Sequence, residues 1–133
     1  MKIHHTGIII DNIEKSIEIY KKLGYVLNSE IMIDDNQYLK IAFLKSSDGF
    51  QIIELIEPLG EKSSIKNFKD GYHHICYDVS EISDFASYFK SLKIGKIFTK
   101  PINAVALENR QIIFACLNNG IFAEFILGGG LHE

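Results

Sequence analysis

The chain is poor in residues that several large functional classes depend on. It has one arginine, Arg110, and 14 Lys plus Arg against 17 Asp plus Glu, a net charge of −3. Neutralising a phosphate backbone needs clustered cations, so nucleic acid is excluded as a partner. Cysteine is scarce too: Cys76 and Cys116 are too few for a disulfide framework, and each sits in an apolar run. They read as reduced, buried thiols of a cytoplasmic protein. No stretch approaches the roughly 18 unbroken apolar residues of a membrane span. The N-terminus lacks the apolar core and small-residue cleavage site of an export signal. What remains is 133 residues, 47% apolar and 23% charged, the composition of a soluble globular chain.

What the sequence does contain is an internal repeat. His4-His5-Thr6-Gly7-Ile8 is followed 69 residues later by His73-His74-Ile75-Cys76-Tyr77. The same offset lays Ile19-Tyr20-Lys21 on Tyr88-Phe89-Lys90. Ile41-Ala42-Phe43 then matches Ile112-Ile113-Phe114, and Ile53-Glu54-Leu55-Ile56 matches Ala123-Glu124-Phe125-Ile126, with the offset drifting only to 71 and 70. The chain is two copies of one module, approximately residues 1–57 and 72–127, within a single domain spanning 1–133.

Each module reads as β-α-β-β-β. Residues 2–10 are strand-like; Asp11 and Asn12 are helix-capping types, Ile13, Ile17 and Tyr20 recur at helical spacing, and Gly24 ends the helix. Runs at 25–33, 38–46 and 50–57 follow, separated by the turn signals Asp34-Asp35-Asn36 and Ser46-Ser47-Asp48-Gly49. The second copy predicts a strand at 73–79, a helix at 81–93 and strands near 96–100, 110–117 and 121–127. Residues 58–71 form a polar connector with room for a helical turn, and Gly128 to Glu133 reads as a flexible end. The fold class is therefore α+β: two tandem βαβββ modules forming a curved mixed sheet, helices on its outer face. One module of about 60 residues buries too little surface to stand alone, so a homodimer is expected as well.

Glu54 and Glu124 are the most informative residues. Each lies inside an almost continuous apolar strand, where an isolated carboxylate costs several kcal/mol unless protonated, paired or bound to a cation. The competing reading, that both face solvent from a half-wet strand, must hold twice at equivalent positions. Two repeat-equivalent histidines supply the complementary half, since imidazole and carboxylate together are a divalent-metal set. The repeat alone does not choose His5 and His74 over His4 and His73. Neighbours on a strand face opposite ways, so only one of each doublet can serve. His132 falls in the tail, outside this pattern.

Paired βαβββ modules with one His and one Glu each resemble the vicinal oxygen chelate superfamily over essentially the whole chain. That superfamily includes glyoxalase I, methylmalonyl-CoA epimerase, extradiol dioxygenases and antibiotic-resistance proteins. Its opening motif, a metal-binding His followed by a residue and a glycine, maps to His5-Thr6-Gly7, and the same register gives His74. The resemblance thus implies His5, Glu54, His74 and Glu124 as metal ligands, and a His, Glu, His, Glu set points to the isomerase branches.

Within those branches the expectation is a metal-dependent glyoxalase I, or lactoylglutathione lyase. It would detoxify methylglyoxal by turning its thiol hemithioacetal into a lactoyl thioester. The size, His5-Thr6, Lys15-Ser16-Ile17 and Tyr20 favour it. The alternative is methylmalonyl-CoA epimerase, favoured by Glu54-Leu55-Ile56-Glu57-Pro58-Leu59-Gly60-Glu61 and by Gly71-Tyr72-His73-His74-Ile75-Cys76-Tyr77. Both reactions move a proton on a carbon next to a carbonyl, the metal acting as a Lewis acid that stabilises an enediolate. One glutamate is the base, Glu124 by resemblance, with Glu54 left open by the internal symmetry. Two imidazoles and two carboxylates suit one six-coordinate Ni²⁺ or Co²⁺ per site, with Zn²⁺ also possible. Arg110 is the candidate for an anionic tail of a thiol-linked small substrate, a plain salt bridge being its other role. Cys76 lies two residues from His74, placed to line the pocket or simply to be buried. A third reading, a metal-free drug-sequestering dimer, has no use for buried carboxylates.

Overall fold

The structure is a computed structural model that describes residues 1–128; the end of the glycine-rich tail and His132 lie outside the described residues. The chain groups into two compact units, His5–His73 and Met1–His4 together with the chain from His74 onward.

The first unit is built on β1 (Lys2–Ile9), α1 (Ile13–Lys22), β2 (Val26–Leu27), β3 (Met32–Asp34), β4 (Leu39–Lys45) and β5 (Ile52–Pro58). Its strands run in the order β2-β4-β5-β1, with β3 also on β4. β1 and β5 are parallel and the other pairs antiparallel. The helix begins where expected: the Asn12 side chain accepts the Lys15 amide at 2.9 Å. It ends at Leu23, and Gly24 follows with φ +98°, a conformation that favours glycine. Ile13 and Ile17 pack with Ile8, Ala42, Leu44, Ile53 and Leu55, which defines the helix-covered face of these strands.

The second unit repeats the plan with β6 (Gly71–Asp78), α2 (Phe85–Leu92), β7 (Gly95–Ile97), β8 (Ile102–Ala104), β9 (Arg110–Leu117) and β10 (Phe122–Ile126). The order is β6-β10-β9-β7, with β8 also on β9, and β6 and β10 are parallel. Phe85 and Phe89 of α2 pack with Val79, Ile113, Ala115, Ala123 and Phe125.

Mixed parallel and antiparallel pairing, with a helix on one face, holds in each unit. Three local expectations are revised. The run at 25–33 breaks into two short strands and the run at 96–100 ends at Ile97, with a further short strand at Ile102–Ala104, because in each place a hydroxyl takes over the ladder. Ser29 Oγ accepts the Phe43 amide at 3.0 Å, and Thr99 Oγ1 accepts that of Phe114 at 3.0 Å. The second helix starts at Phe85, not near 81, since Asp84 sits at φ 45° and makes no side-chain cap. The connector holds turns, such as the Lys66 amide on the Ser63 carbonyl at 3.2 Å, and no helix.

Candidate functional site

Strand alternation decides where the chemistry lies in each unit. On β1, Ile8 faces the helix, so His5, Gly7 and Ile9 face the other way; on β5, Ile53 and Leu55 face the helix and Glu54 does not. The helix-remote face of the first unit thus carries His5 and Glu54, both buried. Glu54 stands opposite Gly7 in the β1–β5 register. His5 Nε2 lies 3.1 Å from Glu54 Oε1. Phe43 is paired with Glu54 across the β4–β5 ladder and meets His5 edge-on, ring centroids 5.2 Å apart.

The second unit builds the same arrangement from its own strands. His74 and Glu124 are buried, and His74 Nε2 lies 2.9 Å from Glu124 Oε1. Glu124 stands opposite Cys76 in the β6–β10 register and opposite Phe114 across β9–β10. Phe114 meets His74 edge-on at 5.5 Å. Each unit therefore holds an imidazole and a carboxylate in a sequestered setting, donors of the type that hold a divalent metal.

The histidine doublets separate cleanly. His5 and His74 are buried on the helix-remote face, while His4 and His73 are half-buried on the other. His73 packs against the Phe68 ring at 4.8 Å. Cys76 is fully buried two residues from His74. Arg110 does not stand alone: its guanidinium reaches Asp78 at 3.3 Å. Burial works against the charge on Asp78. The Ser80 hydroxyl and amide and the Arg110 guanidinium outweigh that and hold its carboxyl below the usual range. The two phenylalanines against the imidazoles were aligned by the repeat, Phe43 on Phe114, but nothing in residue type alone marks them as part of the site.

The chain belongs to the glyoxalase/bleomycin resistance protein/dioxygenase superfamily, whose family model matches residues 4–114. A mitochondrial methylmalonyl-CoA epimerase of Dictyostelium discoideum is 31% identical over 86 residues, covering 61% of this chain and 51% of that protein. The chain spans between about half and just under two thirds of the length of the curated relatives it matches. Among solved structures, methylmalonyl-CoA epimerase from Mycobacterium tuberculosis superposes with a TM-score of 0.80 at 22% identity, covering 96% of this chain and 88% of that one. A Streptomyces coelicolor methylmalonyl-CoA epimerase, solved with 2-nitronate-propionyl-CoA, gives 0.76 at 20% identity over 98% and 99% of the two chains. These likenesses show that the fold is that of the vicinal oxygen chelate proteins.

They also correct the expectation of glyoxalase I, and with it the lyase reaction and methylglyoxal detoxification: the curated relatives are epimerases. The structure shows why the first-helix residues misled. Ser16 and Ile17 are buried, and Tyr20 packs against the same core, so these residues report helix packing and not substrate. Among the described residues, no helix is long and apolar enough to cross a membrane.

Proposed function

We propose that this chain is an isomerase of the methylmalonyl-CoA epimerase type, working as one 1–133 domain. The observation that carries the reading is the His–Glu pair duplicated on the helix-remote face of each unit, in a chain whose curated relatives are epimerases. His5, Glu54, His74 and Glu124 would hold one divalent ion, with Ni²⁺ or Co²⁺ fitting two imidazoles and two carboxylates and Zn²⁺ a further option. When bound, the ion supplies Lewis-acid stabilisation for negative charge on a substrate oxygen.

The chain's own residues supply the proton chemistry. The C2 hydrogen of methylmalonyl-CoA lies between a thioester and a carboxylate, and removing it leaves charge delocalised onto the thioester oxygen. Glu124 takes that proton from one face of the planar C2 centre, and inversion follows when a second acid gives a proton to the other face, a role for which Glu54 is the carboxyl the repeat supplies. Glu54 also holds the cation by its charge. The edge-on Phe43 and Phe114 rings fix the imidazole planes and keep water from the pairs. The substrate is then a CoA thioester, the kind of ligand the Streptomyces protein was solved with. Arg110, paired with Asp78 at 3.3 Å, remains the candidate for an anionic tail of the substrate. A homodimer suits the many exposed large apolar side chains, Phe50 and Tyr72 foremost. A cytoplasmic address suits a chain with only two cysteines.

The test is to offer metal-loaded protein one epimer of methylmalonyl-CoA in deuterated water, with a methylglyoxal hemithioacetal in parallel. The reading predicts C2 deuteration with loss of optical purity, and no thioester product from the hemithioacetal. Absence of C2 exchange at full metal occupancy would overturn it.

A further inference from the structure

The two half-sites match, but their surroundings do not. The backbone extends the repeat beyond what residue types reveal. The Asn28 amide donates to the Phe43 carbonyl at 2.8 Å, and the Phe98 amide to the Phe114 carbonyl at 2.9 Å, so Asn28 and Phe98 are equivalent. Lys45 pairs with Ile52 across β4–β5 as Cys116 pairs with Phe122 across β9–β10. Where the first unit carries Asn28, Lys45 and Ile52, the second therefore carries Phe98, Cys116 and Phe122.

The three aromatic rings of the second unit form one surface. Phe98 lies 5.6 Å from Phe122 and 6.3 Å from Phe114, and Phe114 in turn meets the His74 ring. Helix packing does not account for this cluster, because the α2 core uses the opposite face of the same strands. Phe98 is 55% exposed, so the ring retains area that a ligand would cover. The surface is continuous with the His74–Glu124 pair, and its counterpart in the first unit carries an amide and an ammonium group instead.

We propose that Phe98 and Phe122 are specificity-determining residues: a wall that takes the acyl group of a CoA thioester and so seats the substrate beside Glu124. The inference rests on the CoA-thioester reading above and adds to it which half of the duplicated site receives the acyl group. The methyl side of the acyl group prefers the aromatic side, because covering phenylalanine with a methyl group releases water, while covering Asn28 or Lys45 with it would strip polar groups of theirs.

The experiment is calorimetric titration of Co²⁺-loaded protein with propionyl-CoA and, separately, with free CoA. Phe98→Ala and the milder Phe122→Leu should each weaken propionyl-CoA, Phe98→Ala by about tenfold, or about 1.4 kcal/mol. Free CoA should shift less than twofold, and Asn28→Ala should leave both ligands within twofold. In turnover, KM for methylmalonyl-CoA should rise with kcat nearly held. Propionyl-CoA binding within twofold of wild type in both variants would overturn the wall, as would equal weakening of free CoA. So would a change of sedimentation state with binding unaltered, which would make the rings a contact for a second copy. Wild-type protein that epimerises methylmalonyl-CoA while the variants bind normally removes the wall alone. Wild-type protein that binds no CoA thioester removes the wall and the proposed function together.

Discussion

The two modules agree closely in their His–Glu pairs and diverge in the helix-covered cores and in the side chains beside the pairs. His5–Glu54 and His74–Glu124 have nearly the same separation, the same diagonal register and the same edge-on phenylalanine. On the helix-covered faces the first core is aliphatic, built on isoleucine and leucine, while the second is built around Phe85, Phe89 and Phe125. The helices differ too: α1 has a side-chain cap from Asn12, and α2 has none. A packed core accepts many volume-conserving solutions, whereas a buried carboxylate keeps its place only with a suitable partner. The duplicated pairs are therefore the constrained feature, and the helical faces are free to drift.

The largest effect should come from breaking the equivalence of the two carboxylates. Glu→Gln keeps the shape and one oxygen donor but removes the proton acceptor. Glu124→Gln should lower C2 proton exchange by about 10²–10⁴-fold with the metal retained. Glu54→Gln should lower metal affinity more and exchange less. Exchange and metal content on the same preparations check this, and reversed outcomes would move the base to Glu54.

Next come the unlike cores. Phe89 and Ile17 are both buried under their helices. Phe89→Ala should cost about 3–5 kcal/mol and Ile17→Ala about 2–5, so denaturant melts should place the aromatic deletion at the greater loss. The caps give a smaller contrast. Asn12→Ala should cost about 1 kcal/mol. Asp84→Gly removes no cap and relieves a residue at φ 45°, so it should leave stability unchanged or slightly raised.

The smallest effect concerns Asp78, whose carboxyl is held below its ordinary range despite partial burial. A depressed carboxylate contributes stability that is present above its unfolded value and lost as pH falls through the folded one. Asp78→Asn should therefore flatten the acid limb of the stability profile below about pH 4, by under about 1 kcal/mol for a pair still partly open to solvent. Above that range the melting curves of the variant should run parallel to wild type.

Much of this organisation was legible in residue order, and the reasons are specific. Glu54 and Glu124 stood out because a carboxylate in an apolar strand needs a compensating partner, and the repeat stated that need twice. Alternation limited each histidine doublet to one member, the resemblance of His5-Thr6-Gly7 to the superfamily motif chose His5 and His74, and both are buried. The split and shortened strands were not legible, because Ser29 and Thr99 act through hydroxyls that any loop might contain. The late start of α2 was hidden by the left-handed backbone at Asp84, which periodicity does not register. The aromatic wall escaped notice because its equivalence to Asn28 and Ile52 is carried by backbone hydrogen bonds and strand register. Of the first-helix residues that favour glyoxalase I in the sequence, Ser16, Ile17 and Tyr20 are helix-packing residues.

Metal stoichiometry tests most directly the proposal that His5, Glu54, His74 and Glu124 hold one ion. After loading with Co²⁺ and removal of excess, the protein should hold one ion per chain. His5→Ala or His74→Ala alone should bring that close to zero, while His4→Ala and His73→Ala leave it at one. Two ions per chain, with each histidine variant losing only its own, would contradict the account by making the modules separate sites.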